Sequence, residues 1–98
     1  LSLTEEEIAF LERFSELPFL PLARDYDGES PVFIEKGEKI SDTLMWLKLK
    51  GLISLDYDMP LGNFDYAEYG KYPVKGSMAL TLRGQAALDS LYIQGAGN

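Results

Sequence analysis

Apolar and polar positions alternate along this chain with two different periods. Phe10, Leu11, Phe14 and Leu17 recur at helical spacing and predict a helix over roughly residues 5–17, with Glu12, Arg13 and Glu16 facing water. Thr4 stands at its N-cap, and Glu7 three residues later completes a capping box, while Leu3 and Ile8 occupy the positions of a hydrophobic staple. Pro18 and Pro21 stop this helix, and Pro18 to Pro31 is expected to be a connector punctuated by Gly28. Val32-Phe33-Ile34-Glu35 predicts a short strand closed by Lys36-Gly37.

A second helix is expected from Ser41 to Lys50, with Ser41 or Asp42 near its cap. Gly51 is placed as the left-handed residue that ends it, so that Leu52 can touch Leu47. The period then changes to two: Ile53, Leu55 and Tyr57 point one way, and Ser54, Asp56 and Asp58 the other, as in a half-buried strand. A long connection from Met59 to about Lys75 leads to a return strand at roughly Gly76–Leu80. Thr81 caps a last helix, about Leu82–Ile93, and residues 94–98 are expected to be a disordered tail. In that helix Gly84, Ala87, Leu88 and Leu91 form one stripe; Leu82, Ala86 and Ile93 form another, a candidate homodimer surface.

Ninety-eight residues with 46% hydrophobic content make one domain, residues 1–93, able to build a core without staples. The chain has neither Cys nor His, which removes disulfides, cysteine metal sites and the commonest general base. Asp25-Tyr26-Asp27-Gly28-Glu29-Ser30 starts like a calcium loop, but position twelve is Lys36 where a bidentate Glu is needed. Asp56 and Asp58 share the exposed face of a strand, and no phosphate-loop pattern occurs. No enzyme, cofactor, metal or small-molecule substrate is therefore expected. No apolar run is long enough to span a bilayer, and the acidic start is unlike a signal peptide, so a cytoplasmic address is expected. An opening Leu in place of Met leads us to expect an excised domain or a trimmed chain.

Net charge is -7, unevenly spread. Residues 1–35 hold two basic and nine acidic side chains, whereas residues 36–83 hold seven basic and six acidic. The global field opposes polyanions, although a local basic surface is compatible with it.

The order of predicted elements, with "LMWLKLKGLISLDYD" (Leu44–Asp58) followed by "MALTLRGQAALDSL" (Met78–Leu91), resembles the winged helix-turn-helix pattern. There, a recognition helix ends in Leu-x-x-x-Gly-Leu-Ile, a hairpin forms the wing, and Leu-Thr-x-x-Gly opens a closing helix. Regulators of the multiple-antibiotic-resistance and phenolic-acid types, and small uncharacterised phage-like proteins, share it. The resemblance covers roughly residues 40–93. It implies an α+β, winged-helix-like fold of three helices with a two- to three-stranded antiparallel wing. Two departures stand out. The segment Pro18–Lys39 offers no amphipathic run, so the helix before the recognition helix is reduced or missing. The wing is also long and rich in aromatics.

The second helix tests the DNA-binding implication. Stepping about 100° per residue from Ile40, Leu44 and Leu47 cluster with it as the core stripe, and Asp42, Met45, Trp46 and Leu49 fall opposite. That face lacks the Arg, Asn or Gln that reads base edges. A helix apolar nearly all round is either buried on two sides or part of an interface rich in Trp and Met. In the wing, Phe64, Tyr66, Tyr69 and Tyr72 either cover the second face of this helix or form a recognition loop. The leading expectation is a non-catalytic interaction or regulatory module that binds a protein partner or self-associates through Met45, Trp46, Leu49, Phe64, Tyr66, Tyr69 and Tyr72. The alternative is a dimeric DNA-binding transcriptional regulator with phosphate contacts from Lys36, Lys39, Lys48, Lys50, Lys71 and Lys75.

Overall fold

The computed structural model describes residues 3–28 and 30–96. Its elements in chain order are α1 (Glu5–Glu12), β1 (Phe19–Arg24), β2 (Phe33–Glu35), β3 (Glu38–Ile40), α2 (Asp42–Leu49), β4 (Ile53–Asp56), β5 (Val74–Leu80) and α3 (Leu82–Ala96). Single 3-10 turns follow α1 at Arg13–Ser15 and interrupt the long connection at Ala67–Tyr69. The chain is thus an α+β fold with three helices and antiparallel strands. β1, β5 and β4 form one sheet with β5 in the centre, and β2 and β3 form a separate hairpin.

Local chemistry sets several element ends as expected, but Ser41, at the N-cap of α2, makes no capping bond and donates its hydroxyl to the Pro31 carbonyl at 2.8 Å instead. The Thr4 hydroxyl accepts the Glu7 N–H at 3.1 Å, and Glu7 Oε1 accepts the Thr4 N–H at 2.8 Å. At the end of α2, the Gly51 N–H reaches the Lys48 carbonyl and the Leu52 N–H reaches that of Leu47. With Gly51 at φ 75°, this is the Schellman arrangement that a left-handed glycine permits. The Lys36-Gly37 pair turns the β2–β3 hairpin, and both residues have positive φ, as a two-residue type I′ turn requires. Thr81 Oγ1 accepts the Gly84 N–H at 3.0 Å, capping α3, and donates to the Gly51 carbonyl at 2.6 Å.

Four expectations need correction. Residues 18–31 are not only a connector, because Phe19–Arg24 is an edge strand; Pro21 is tolerated there because an edge position makes fewer ladder bonds. α1 ends at Glu12, and Leu17, expected on the apolar stripe, is exposed beyond the 3-10 turn. Arg13, expected to face water, is half-buried and grips Glu35 with two guanidinium nitrogens, its guanidinium carbon lying 5.4 Å from the centre of the Phe10 ring. α3 continues through Ala96 where a disordered tail was expected; Gly97 and Asn98 lie outside the described residues.

Strand register sorts the three-stranded sheet into two faces. Leu20, Met78 and Leu55 stand in one row, flanked by Leu22 and by the Ile53–Leu80 pair. This face meets Phe10, Leu11 and Phe14, Leu44 and Leu47 of α2, and Leu88 of α3 in the main core. Gly76 belongs to the same face, and a Cβ there would lie 2.3 Å from the Asp56 carbonyl oxygen, so β4 and β5 could not approach as they do. The opposite face carries Phe19, Ala79 and Ser54 in one row and Pro21, Ser77 and Asp56 in the next. At its far end Ala23 pairs with Val32 and joins Tyr69 and Tyr72 in a second, smaller core.

Candidate functional site

The outer side of α2 carries an unpartnered apolar surface, as does α3, where Leu82 and Ile93 of the candidate homodimer stripe are both exposed. Leu44 and Leu47 are fully buried on its inner side. On the outer side Trp46 and Leu49, one helical turn apart, are 59% and 70% exposed, and Met45 between the two sides is half-buried. Asp42 and Lys48 also face solvent. No Arg, Asn or Gln occupies this face, and Lys48 is its one long cationic side chain. Its chemistry is that of an apolar patch bordered by one acid and one base.

The aromatics of the long connection lie elsewhere. They fold back onto the outer side of the sheet and the β2–β3 region, not onto α2. Tyr69 is fully buried and accepts the Ile34 N–H at 2.9 Å. Tyr66 accepts the Leu61 N–H and donates to the Gly76 carbonyl, both at 2.8 Å, so one phenol clamps the loop to β5. Phe64, Tyr66 and Tyr69 pack edge to face. Tyr69 and Tyr72 are buried, so they cannot meet a partner as expected of them; they anchor the loop. Of the four, Phe64 alone is exposed, and only partly. Burial pushes the Tyr69 hydroxyl above its ordinary pKa despite its backbone bonds at Ile34, and the same cause raises Tyr57, whose ring lies 4.7 Å from the Arg24 guanidinium.

The six candidate lysines are spread over the β2–β3 hairpin, α2 and its C-terminal end, the long connection and β5. Lys36 and Lys39 lie on the β2–β3 hairpin and Lys48 on α2, all exposed. Lys71 sits over the Tyr72 ring at 5.3 Å, and Lys75 donates to the Tyr72 carbonyl at 2.7 Å. Lys50 is engaged inside the fold, its Nζ 2.7 Å from both carboxylate oxygens of buried Glu7. A phosphate contact from Lys50 would have to break that pair. Burial alone would raise the Glu7 carboxyl, but the Lys50 ammonium and the Thr4 N–H outweigh it and hold the carboxyl below its ordinary range. Glu35 is lowered chiefly by its hydrogen bonds from Arg13.

Sequence reasoning missed the outer sheet face, because β1 carries Phe19 and was read as connector. It also missed the ion pair, because Glu7 and Lys50 lie far apart in sequence. Among the described residues no helix is long and apolar enough to cross a membrane, and no group of three acidic side chains is placed to hold a metal ion. Comparison with known proteins finds no match for this chain among protein-family models, curated proteins or solved structures.

Proposed function

We propose that this chain is a winged-helix-like, non-catalytic interaction module that binds a protein partner through the outer face of α2. The observation that carries this reading is the outward placement of Trp46 and Leu49 on a helix whose inner side is already saturated by the core. Trp anchors recur at the centre of protein interfaces because they bury much surface with few rotatable bonds. The strand order β1-β5-β4, with α2 leading through a tight glycine turn into β4 and a long loop before β5, supports the winged-helix comparison. The β2–β3 hairpin then occupies the place of the helix that precedes the recognition helix. Net charge of -7 favours a partner with a basic rim.

A test compares the wild-type chain with Trp46→Ala and Leu49→Ala. The variants stay folded by circular dichroism but lose a partner that the wild type retains in affinity capture, or lose self-association in sedimentation. If wild type and variants retain the same proteins and sediment alike, this reading fails.

The DNA-binding alternative draws on exposed Lys36, Lys39 and Lys48. It requires a steep fall of affinity with salt, about one log-log unit per phosphate contact. Absence of duplex retention at ~50 mM salt refutes it.

A further inference from the structure

β4 is one of the two outer strands of the three-stranded sheet and, among the described residues, pairs with β5 on one side only. A strand edge of this kind presents unpaired N–H and C=O groups at every second residue. Beside it, on the sheet face turned away from the helices, lies a cleft of about 320 Å³. Its floor is Phe19, Ala79 and Ser54 in cross-strand register, and its wall is Met59-Pro60-Leu61-Gly62. Phe19 and Met59 are themselves more than half exposed. The Tyr66 hydroxyl holds the wall in place by accepting the Leu61 N–H while donating to β5. Among the residues lining the cleft, Asp56 on β4 is the single charged side chain. Asp58 follows it, exposed, with its N–H on Asp56 Oδ1 at 3.0 Å.

These features fit one occupant together. An edge strand selects an extended backbone, the apolar cleft selects a bulky aliphatic or aromatic side chain, and a lone carboxylate selects a neighbouring cation. We propose that the β4 edge and this cleft bind an extended peptide segment of a partner, paired antiparallel or parallel to β4, with one apolar side chain in the cleft and a Lys or Arg beside Asp56. Main-chain pairing supplies affinity and the alternate side chains supply selectivity, as in other cases of strand addition. The site is separate from the α2 face and does not depend on it.

The test uses the full chain, uniformly labelled with nitrogen-15, titrated with the capped peptide acetyl-Lys-Val-Lys-Phe-Lys-Val-amide. Saturable shifts are expected at the amides of Ser54, Leu55, Asp56, Phe19 and Ala79. The same peptide with N-methyl groups on alternate amides keeps its side chains and charge but cannot pair, and binds at least about tenfold more weakly. Replacing its lysines by glutamates, or making Asp56→Asn in the protein, weakens binding by about five- to tenfold at low salt. Ala79→Leu fills the cleft and removes binding; should that variant fail to fold, the N-methylated peptide on the wild-type chain still decides. Trp46→Ala leaves the titration unchanged, which separates this site from the α2 reading. Absence of saturable shifts, equal affinity for the N-methylated peptide, or shifts confined to α2 overturns the proposal.

Discussion

Replacing Lys50 by Met removes the counter-charge of a carboxylate that is only 2% exposed. Glu7 then keeps the Thr4 N–H as a partner but loses an ammonium 2.7 Å from each of its oxygens. Breaking a buried pair from one side typically costs about 3–5 kcal/mol, because the remaining charge stays desolvated. The Lys50 side chain is 27% exposed, so one rim of the pair is wet, and we expect the low end of that range, about 3 kcal/mol. For a domain of this size the loss lowers Tm by roughly 12–24 °C. The dependence on pH carries the sharper test. In the wild type the Glu7 carboxyl lies below its ordinary value of 4.5, so the pair stabilises fully above that value and the gain is lost as pH falls through the folded-state pKa. In Lys50→Met burial acts on Glu7 without the ammonium, so its folded-state pKa lies higher than in the wild type. Relative to the wild type, that variant is penalised at neutral pH and recovers on acidification, when Glu7 takes up a proton. The stability gap between the two proteins therefore narrows from pH 7 to about pH 4. Urea and thermal denaturation followed by circular dichroism at both pH values measure it. Adding Glu7→Gln to Lys50→Met keeps an acceptor for the Thr4 N–H and should restore more than half of the loss. A gap below about 1 kcal/mol at pH 7, or one that does not change with pH, would refute the reasoning.

Gly84→Ala tests the docking of α3: propensity alone favours Ala by about 1 kcal/mol, but its Cβ would lie 2.0 Å from the Leu52 carbonyl oxygen, so denaturation should show a net loss of about 1–3 kcal/mol. Tyr69→Phe deletes the acceptor for the Ile34 N–H inside the second core and should cost about 1–2 kcal/mol in urea melts, while leaving the far-ultraviolet spectrum unchanged. Trp46→Ala should cost under about 1 kcal/mol, since the side chain is more than half exposed; a loss of 3–5 kcal/mol in the same melts would mean that Trp46 is core.

Signals that act within a few residues were legible in the sequence. The Thr4–Glu7 box, the Gly51 turn, the Thr81 cap and the alternation through Ile53–Asp56, where the strand ends two residues earlier than expected, each depend on neighbours within one turn or one pleat, and each is present. Signals that depend on a distant partner were not. Phe19–Arg24 contains a proline and lacks clean alternation; it becomes a strand because β5 offers it a ladder. Glu38–Ile40 is too short to show a period and exists through its pairing with β2. Glu7 sits in an acidic run that suggests solvent, and only Lys50 makes its burial tolerable. The candidate site divided along the same line. The outer face of α2 could be placed by counting residues around a helix. The loop aromatics had no local period, and their division into buried Tyr69 and Tyr72 and exposed Phe64 is decided by β1, β2 and β5.

The central position of β5 also bears on how the chain is made. Both other strands of that sheet pair with residues 74–80, which leave the ribosome after nearly everything they must hold. At about 5–20 residues per second, β1 waits several seconds with Leu20 and Leu22 uncovered before its ladder partner emerges. During that interval the nascent chain has α1, the β2–β3 hairpin and α2 but no sheet to seat them on. A stalled or truncated product lacking residues 74–80 would keep two orphan strands and a large apolar face, the form that chaperones and proteases recognise first.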